Sequence, residues 1–598
     1  MEMRKTRLLF ISIALVMLFI INAIPFETYG QDNLRVRNLD TGEKYEKIQE
    51  AINAASVGNT IYVKNGTYYE NVVVNKTISL VGENKSNTII DGRGSRTVIS
   101  VTADNVNIKG FTIRNSEWTF PYSAVYVYYA NGHKISDNII KNSLYGIHLY
   151  YSGESTVVNN TILDNRYGLS LTSATDNVVS NNNFSRNDDG IQLSFSRYNT
   201  FSGNNISLSK FNGVILSTST NNVFVNNTIL NNGYGYGFHS TFCGYSTFSG
   251  NNISRNEQGF SLSGCSYNVI SGNYISYNTG CGVWLGASSD NVFANNYVVD
   301  NGESFHSETS EGNTIYHNNF INTQVDTTQQ PSCFDSANSW DNSIEGNYWN
   351  SQTRTDENRD GIADEAYTID EKNIDNYPLI AIFSQFNIIV NSRVYAIDVV
   401  SNSTISRFEY FHFPANRTAV LTFHINNTGE KQFCRVSVPN TLVEPPHAVV
   451  LNNNVSLQSR IVHSNATHSW LYFTYYCPEN GTLIIAISSQ ELPAWYQLWF
   501  WTIVGLTLII AVLLLLVIRY HRMYGEQRRI IEAYELKIHA REHLNTARAF
   551  FESDVERRRA KIDEFEKKYK VRIRPRNDLD DMIRNMEFKR KGREKLED

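Results

Sequence analysis

The segment Asp356-Glu357-Asn358-Arg359-Asp360-Gly361-Ile362-Ala363-Asp364 is where residue type and spacing most narrowly specify a chemistry. Side-chain oxygens at Asp356, Asn358 and Asp360, a glycine next, a carbonyl at Ile362 and a carboxylate at Asp364 are what a hard cation takes from a tight loop. Calcium is the natural occupant. The bidentate acid expected at the twelfth position is missing, because Tyr367 stands there, so Asp370 or Glu371 would have to substitute. Without an ion, the same residues make a turn rich in solvated acids.

Two further groups invite a chemical reading. Asp188-Asp189 is the best acidic pair and supplies the catalytic candidates. A glycosidase needs two carboxyls about 5 to 9 Å apart with one kept protonated, and a lyase would add a calcium cluster and an unpaired base. Yet Asp188 falls one repeat from Arg166, and Arg186 one repeat from Asp164, so ion pairs between turns explain these acids without catalysis. The second group is aromatic: Tyr126, Tyr128, Tyr129, His148, Tyr150 and Tyr151, with Trp284 in the same outward column. Exposed rings beside hydrogen-bonding groups suit flat sugar faces; they serve equally as a stabilising ladder. His148 and His239 share a column but lie four turns apart, about 19 Å at strand spacing, too far to share a metal.

What positions such residues is a beat of about 22 residues. Gly146, Gly168, Gly190, Gly213, Gly237, Gly259 and Gly282 lie 22, 22, 23, 24, 22 and 23 residues apart, each opening a phrase such as Gly168-Leu169-Ser170-Leu171. Asn138, Asn160, Asn182, Asn204, Asn227, Asn251, Asn273, Asn296 and Asn318 mark a second column. Paired-helix repeats need roughly 33 residues or more, and leucine-rich repeats are Leu-dominated. Each unit here holds three short alternating stretches split by Gly, Asn, Ser and Asp. The reading is all-β: a single-stranded parallel β-helix over residues 34–382, with turns about 4.8 Å apart. Ile147, Leu169, Ile191, Val214, Phe238, Phe260 and Val283 then form one inward column, and Leu149, Leu171, Leu193, Leu216, Leu262 and Leu285 another. The Asn column is expected at turns, in left-handed backbone, with amides bonded to the turns above and below. Ile48, Ala51, Ile52 and Ala55 have helical spacing, so an amphipathic helix over Tyr45–Ala55 should cover the first turn.

Other segments flank this solenoid. Residues 1–30 begin with Arg4, Lys5 and Arg7 before an apolar run, the form of a secretory signal. Residues 498–518 are 21 apolar residues without a charge, about 30 Å as a helix and enough to cross a bilayer once. Arg519, His521 and Arg522 beyond it place the tail, 519–598, in the cytoplasm, as a solvated helical segment. The expected protein is single-pass, type I, with its large N-terminal part outside. The tail holds 23 Lys+Arg against 17 Asp+Glu, and the rest 30 against 42; that acidic balance argues against a nucleic-acid partner. Alternation from Phe386 to Ser489 suggests an Ig-like β-sandwich at 386–489, with a disulfide between Cys434 and Cys477 facing each other across it. Cys243 and Cys265, on adjacent turns, fit either a disulfide or free stacking. Asn-x-Ser/Thr sequons such as Asn65, Asn205 and Asn416 suit an exported glycoprotein.

Ile48-Gln49-Glu50-Ala51-Ile52, Gly58-Asn59-Thr60-Ile61-Tyr62-Val63, Gly66-Thr67-Tyr68-Tyr69-Glu70-Asn71, the Asn-rich repeats, Gly346-Asn347-Tyr348-Trp349 and Asn376-Tyr377-Pro378-Leu379 together resemble NosD-like proteins of the pectate-lyase-like superfamily. The resemblance covers about residues 34–382 and implies a right-handed β-helix. It also implies one of three roles: binding a polysaccharide or glycoprotein of the cell envelope, acting on sugars as a polysaccharide lyase or glycoside hydrolase, or serving copper maturation. All six Met lie at 1, 3, 17, 523, 582 and 586, which leaves the exterior without a thioether for Cu(I). Pectinase-type motifs are not matched. The reading is a membrane-anchored surface protein that binds envelope carbohydrate, with calcium its one expected ion.

Overall fold

The computed structural model describes residues 34–322, 331–350, 354–413, 418–427, 431–451, 455–476 and 481–489. The expected signal, membrane span and cytoplasmic tail lie outside them, as does Cys477. No helix among the described residues is long and apolar enough to cross a membrane.

Three sheets of 15, 13 and 12 strands carry the chain from Val36 to Trp349, and the third gives one strand to each of 12 turns. Pairing from turn to turn is parallel and in register: Leu171 lies beside Leu193, and Leu169 beside Ile191. The inward columns form as the repeat predicts, with Ile147, Leu169, Ile191, Val214, Phe238 and Phe260 fully buried. Burying one such side chain contributes roughly 1.5–3 kcal/mol, and the repeat renews that gain on every turn. Ser240 interrupts the Leu column and is also fully buried.

The repeat glycines are held by a close approach. A Cβ on Gly168 would sit 2.5 Å from the carbonyl oxygen of Gly190, and one on Gly190 equally close to that of Gly213. Any larger residue would push neighbouring turns apart.

The Asn column differs from expectation in one respect. Left-handed backbone belongs to the preceding residue, Asn159 (φ 58°) or Asn181 (φ 54°) for example, while the column Asn is buried inside the corner. There Asn160 Nδ2 donates to Asn182 Oδ1 at 3.0 Å and to the Ile135 carbonyl at 2.8 Å. Asn182 Oδ1 also accepts the Asn160 backbone N–H at 2.9 Å. Two more ladders were not anticipated. One joins Asn165 to Asn187 and Asn232 to Asn256, Asn278 and Asn301. The other joins Asn177, Asn199 and Asn222, then Asn268, Asn291, Asn313 and Asn338. Interior backbone at a corner has no strand partner, and a stacked amide satisfies it.

The first turn is covered by a helix shorter than expected, Ile48–Ala54, with Ile48, Ala51 and Ile52 buried. The Glu70 carboxylate accepts its first two amides, Ile48 N at 2.9 Å and Gln49 N at 3.0 Å, in the favourable place for an anion. At the far end Trp340, Trp349 and Phe320 close the core, with Trp349 and Phe320 stacked 4.5 Å apart.

Two five-stranded antiparallel sheets follow. One contains Ile382–Val390, Arg393–Ser401, Lys431–Pro439, Ser459–Ser464 and His468–Tyr476. Its first strand thus starts ahead of the expected boundary at 386. The other contains Thr404–Phe413, Thr418–Asn427, Ala448–Leu451, Val455–Leu457 and Gly481–Ser488. Cys434 and the strand leading toward Cys477 share one sheet instead of facing across two. Cys434 pairs with Phe473 and is a fully buried free thiol. The sheets meet the solenoid through a reciprocal pair: Phe383 N–H to Asn319 Oδ1 and Asn319 Nδ2 to the Phe383 carbonyl, both 2.8 Å. Beside it, Glu345 takes His317 Nε2 at 2.6 Å and Arg435 Nη2 at 2.7 Å.

Candidate functional site

The rings singled out in the sequence lie on the outer face of the third sheet. Strands Ser123–Tyr128, Tyr145–Tyr150 and Tyr167–Thr172 run side by side, pairing Tyr126 with His148 and Tyr128 with Tyr150. Tyr128 and Tyr150 stack with centroids 5.7 Å apart and planes within 10°. Tyr129 and Tyr151 stack at 4.8 Å and 7° on the adjoining corner, where left-handed backbone (φ 50° and 48°) turns both rings outward. Tyr128, Tyr129 and Tyr151 are 44%, 57% and 46% exposed, which leaves ring faces and hydroxyls for a ligand.

Two members of the expected group stand elsewhere. His148 is only 2% exposed, with the Tyr145 ring 4.6 Å and the Tyr126 ring 5.2 Å from its own. Its Nε2 meets Thr172 Oγ1 at 3.1 Å, and Nδ1 has no partner. Burial lowers its pKa to about 4, so His148 is a neutral floor beneath the patch and not part of its surface. Burial likewise pushes the Tyr126 phenol up to about 12. Trp284 pairs with Ser261 and His306, six turns from His148 and about 29 Å away at strand spacing. It is no part of this patch.

Tyr145 and Tyr167 were missed. They stack at 5.1 Å and extend the patch by one turn. Both precede a repeat glycine, and that position pairs into a column of its own, so the signal was present.

Of the acidic candidates, Asp189 has a structural role and Asp188 lacks the cation neighbour that the repeat predicts. Arg186 makes a two-pronged ion pair with Asp164, at 2.9 Å on each prong. Asp189 is buried and accepts the Asn212 backbone N–H at 3.0 Å and its Nδ2 at 2.8 Å. Burial raises its pKa, against those bonds. No ion pair joins Asp188 to Arg166, whose guanidinium lies over the Tyr167 ring instead.

A second polar cluster went unnoticed because Ser304 stands where the repeat glycine is expected. Cys281 Sγ donates to Glu303 Oε2 at 3.2 Å, and His306 Nδ1 lies 3.3 Å from Glu303 Oε1 and 2.8 Å from Ser332 Oγ. Ser332 also donates to Glu303. Serine and glutamate thus meet the same imidazole nitrogen. A nucleophilic relay needs them on opposite nitrogens, so this arrangement is not one. Burial first, then Glu303, pushes the Cys281 thiol up to about 12, away from thiolate reactivity.

In the loop at 356–364 the carboxylates close on backbone amides. Asp356 accepts Asp360 N at 2.9 Å and Gly361 N at 3.0 Å, Asp360 accepts Ile362 N at 2.9 Å, and Asp364 accepts Glu357 N at 2.8 Å. Burial, with Asp360 and Asp364 nearby, raises the Asp356 pKa. Among the described residues no three His, Cys, Asp or Glu side chains converge as a metal site.

The family model described as "Periplasmic copper-binding protein (NosD)" matches residues 52–244 and 236–354. The cell surface glycoprotein of Methanothermus fervidus is 36% identical over 111 residues, 18% of this chain and 18% of that protein. The chain therefore spans under a fifth of that relative's length. Among solved structures, the Dettilon tailspike protein (gp208) gives a TM-score of 0.38 at 12% identity, with 72% of this chain and 87% of that one covered. The A-module of the Azotobacter vinelandii mannuronan C-5 epimerase AlgE6 gives 0.38 at 15%, with 49% and 94% covered.

Copper, named in that family description, does not fit the donors present. The described residues hold no Met. Cys243 and Cys265, the two adjacent thiols, stand in a buried serine column: Cys243 N–H donates to Cys265 Sγ at 3.1 Å as Ser196 N–H does to Ser219 Oγ at 3.0 Å. They are free thiols replacing hydroxyls in the core, both buried.

Proposed function

Because the chain belongs to the NosD family of right-handed parallel β-helix proteins, with the match over residues 52–354 covering half of it, we propose that it binds cell-envelope glycan at the cell surface and does no chemistry on it. The observation that carries this reading is the patch of Tyr126, Tyr128, Tyr129, Tyr150 and Tyr151, where two stacked ring pairs stand on one rigid face of neighbouring turns. Rings fixed by the solenoid lose little entropy when a sugar ring lies on them. The kinship to a cell surface glycoprotein supports an outside location, and the apolar run at 498–518 supplies the proposed anchor.

The direct test is incubation of the full-length protein with a panel of neutral and acidic polysaccharides, followed by co-sedimentation and chromatography of the soluble sugars. Retention of at least one polysaccharide without new oligosaccharides is the expected result. Release of shortened or unsaturated products would instead establish a hydrolase or lyase.

A further inference from the structure

The chain passes from the third sheet to the first through a corner with two residues in left-handed backbone, separated by a narrow ladder in which Arg197, Thr220, Gly244 and Ser266 pair from turn to turn. Phe195, Thr218 and Phe242 hold the first left-handed position on successive turns (φ 53°, 48° and 54°), and Tyr198, Asn221 and Tyr245 hold the second (φ 57°, 57° and 56°). At the corner between the first and second sheets the left-handed residue is typically Asn or Gly, as at Asn181, Gly203, Asn226 and Gly250, which is what that backbone favours. Bulky rings are costly there. These recover little by burial: Phe195 is 63% and Phe242 68% exposed, and Tyr198, Tyr245 and Tyr267 are each more than half exposed. The fold gains little from rings at these positions, which points to a ligand.

The rings are arranged for a long, flat ligand. Phe195 and Phe242 stand two turns apart, about 10 Å at strand spacing, as do Tyr198 and Tyr245, so ring faces recur along the solenoid axis. The Phe242 ring lies across Gly264 of the next turn, where a Cβ would come within 2.7 Å of it. Tyr245 and Tyr267 stack at 5.1 Å. Between the two rows lie the hydroxyls of Thr220 and Ser266, with the Asn221 amide beside Thr220 at 3.1 Å. Tyr151 holds the first position two turns before Phe195, so the corner continues from the tyrosine patch. Charge sets the ligand class: Glu154, Asp176 and Asp290 stand at second positions of this corner, against Arg197 on the ladder between, so an acidic chain would be repelled.

We propose that this corner binds a neutral polysaccharide chain laid along the solenoid axis, with sugar rings on Phe195, Phe242 and the tyrosines beside them. This second surface rests on the reading of the protein as a glycan binder and narrows the glycan to an uncharged one.

Native gel electrophoresis of the full-length protein in mild detergent, with hydroxyethylcellulose, mannan, carboxymethylcellulose or alginate cast into the gel, tests it. At least one of the two neutral polymers should retard the protein, and neither acidic polymer should retard it as strongly. Phe195→Asn together with Phe242→Asn should weaken that binding about 5- to 30-fold through the loss of two stacking rings. The variant should melt at the parent's temperature or above it, because Asn suits left-handed backbone. Tighter binding of an acidic polymer, no retardation by either neutral one, undiminished retardation of the variant, or a Tm several degrees below the parent's would each overturn the proposal. Tyr128→Ala together with Tyr150→Ala separates the two surfaces. Loss of binding there, with binding kept in the Phe195 and Phe242 variant, removes the corner and leaves the tyrosine patch standing; the reverse outcome keeps the corner and removes the patch.

Discussion

Tyr128 and Tyr150 stand one turn apart in the chain and lie face to face, centroids 5.7 Å apart and planes within 10°. A surface formed this way is as rigid as the hydrogen-bonded strands beneath it, and its ring spacing is set by strand spacing, not by side-chain choice. One residue added or removed within either strand would dismantle it, whereas the corners absorb such changes, as the 22- to 24-residue spacing of the repeat glycines shows.

His148 makes the solenoid acid-sensitive. Its folded pKa of about 4 lies below the ordinary imidazole value of 6.5. Its contribution is therefore complete above pH 6.5 and is lost as pH falls toward 4, about 3 kcal/mol in all. Chemical denaturation between pH 7 and 4 should show this decline, and His148→Phe should flatten it. A parallel decline in the variant would place the sensitivity elsewhere.

The Asn ladders predict a penalty larger than the loss of one side chain. Asn227 Oδ1 accepts both the backbone N–H and Nδ2 of Asn204, at 3.0 Å each, and its own Nδ2 reaches Phe201 O at 3.0 Å. Asn227→Ala leaves those groups buried and unpaired, so urea denaturation should show a loss of about 2–4 kcal/mol. A loss under 1 kcal/mol would mean that water replaces the amide.

Glu345 couples solenoid to sandwich. Burial would raise its pKa, yet the Arg435 charge and the His317 bond hold it at about 2. The stabilisation is present above the ordinary glutamate value of 4.5 and is lost as pH falls toward 2. Glu345→Gln should lower stability by about 3–5 kcal/mol at pH 7, because Arg435 is left buried and uncompensated. Limited proteolysis near residue 382 should accelerate in the variant; an unchanged rate would show that the Asn319–Phe383 pair suffices.

The loop at 356–364 carries the calcium expectation. Asp360 and Asp364 add repulsion to a half-buried Asp356, which a divalent ion would relieve. Millimolar calcium should raise the Tm by a few degrees, at about 1 kcal/mol per 2–4 °C, and Asp360→Asn should lose the shift. An unmoved Tm leaves the loop as a turn closed by its own amides.

Much of this was legible from spacing alone. A constant repeat fixes which residues pair, so Leu171 beside Leu193 and Tyr128 beside Tyr150 follow from counting. Counting does not show depth: His148 shares its outward column with exposed positions and is covered only because Tyr126 and Tyr145 fold over it. It also fails where the marker residue changes, as at Ser304, which hid the pairing of Cys281 with Glu303. In the sandwich no repeat exists, and alternation gives each strand's inner face without its neighbour. Cys434 was therefore set across from a strand that proves to lead away from it within the same sheet.

The measurement nearest the centre of this account is polysaccharide binding by the full-length protein carrying Tyr128→Ala and Tyr150→Ala together, compared with Trp284→Ala. Stacking worth about 1–2 kcal/mol over two rings predicts a loss of about 5- to 30-fold in the double variant, with the Trp284 variant binding like the parent. Unchanged retention by the double variant, with its melting curve intact, would contradict the assignment of the tyrosine face as the glycan-binding surface.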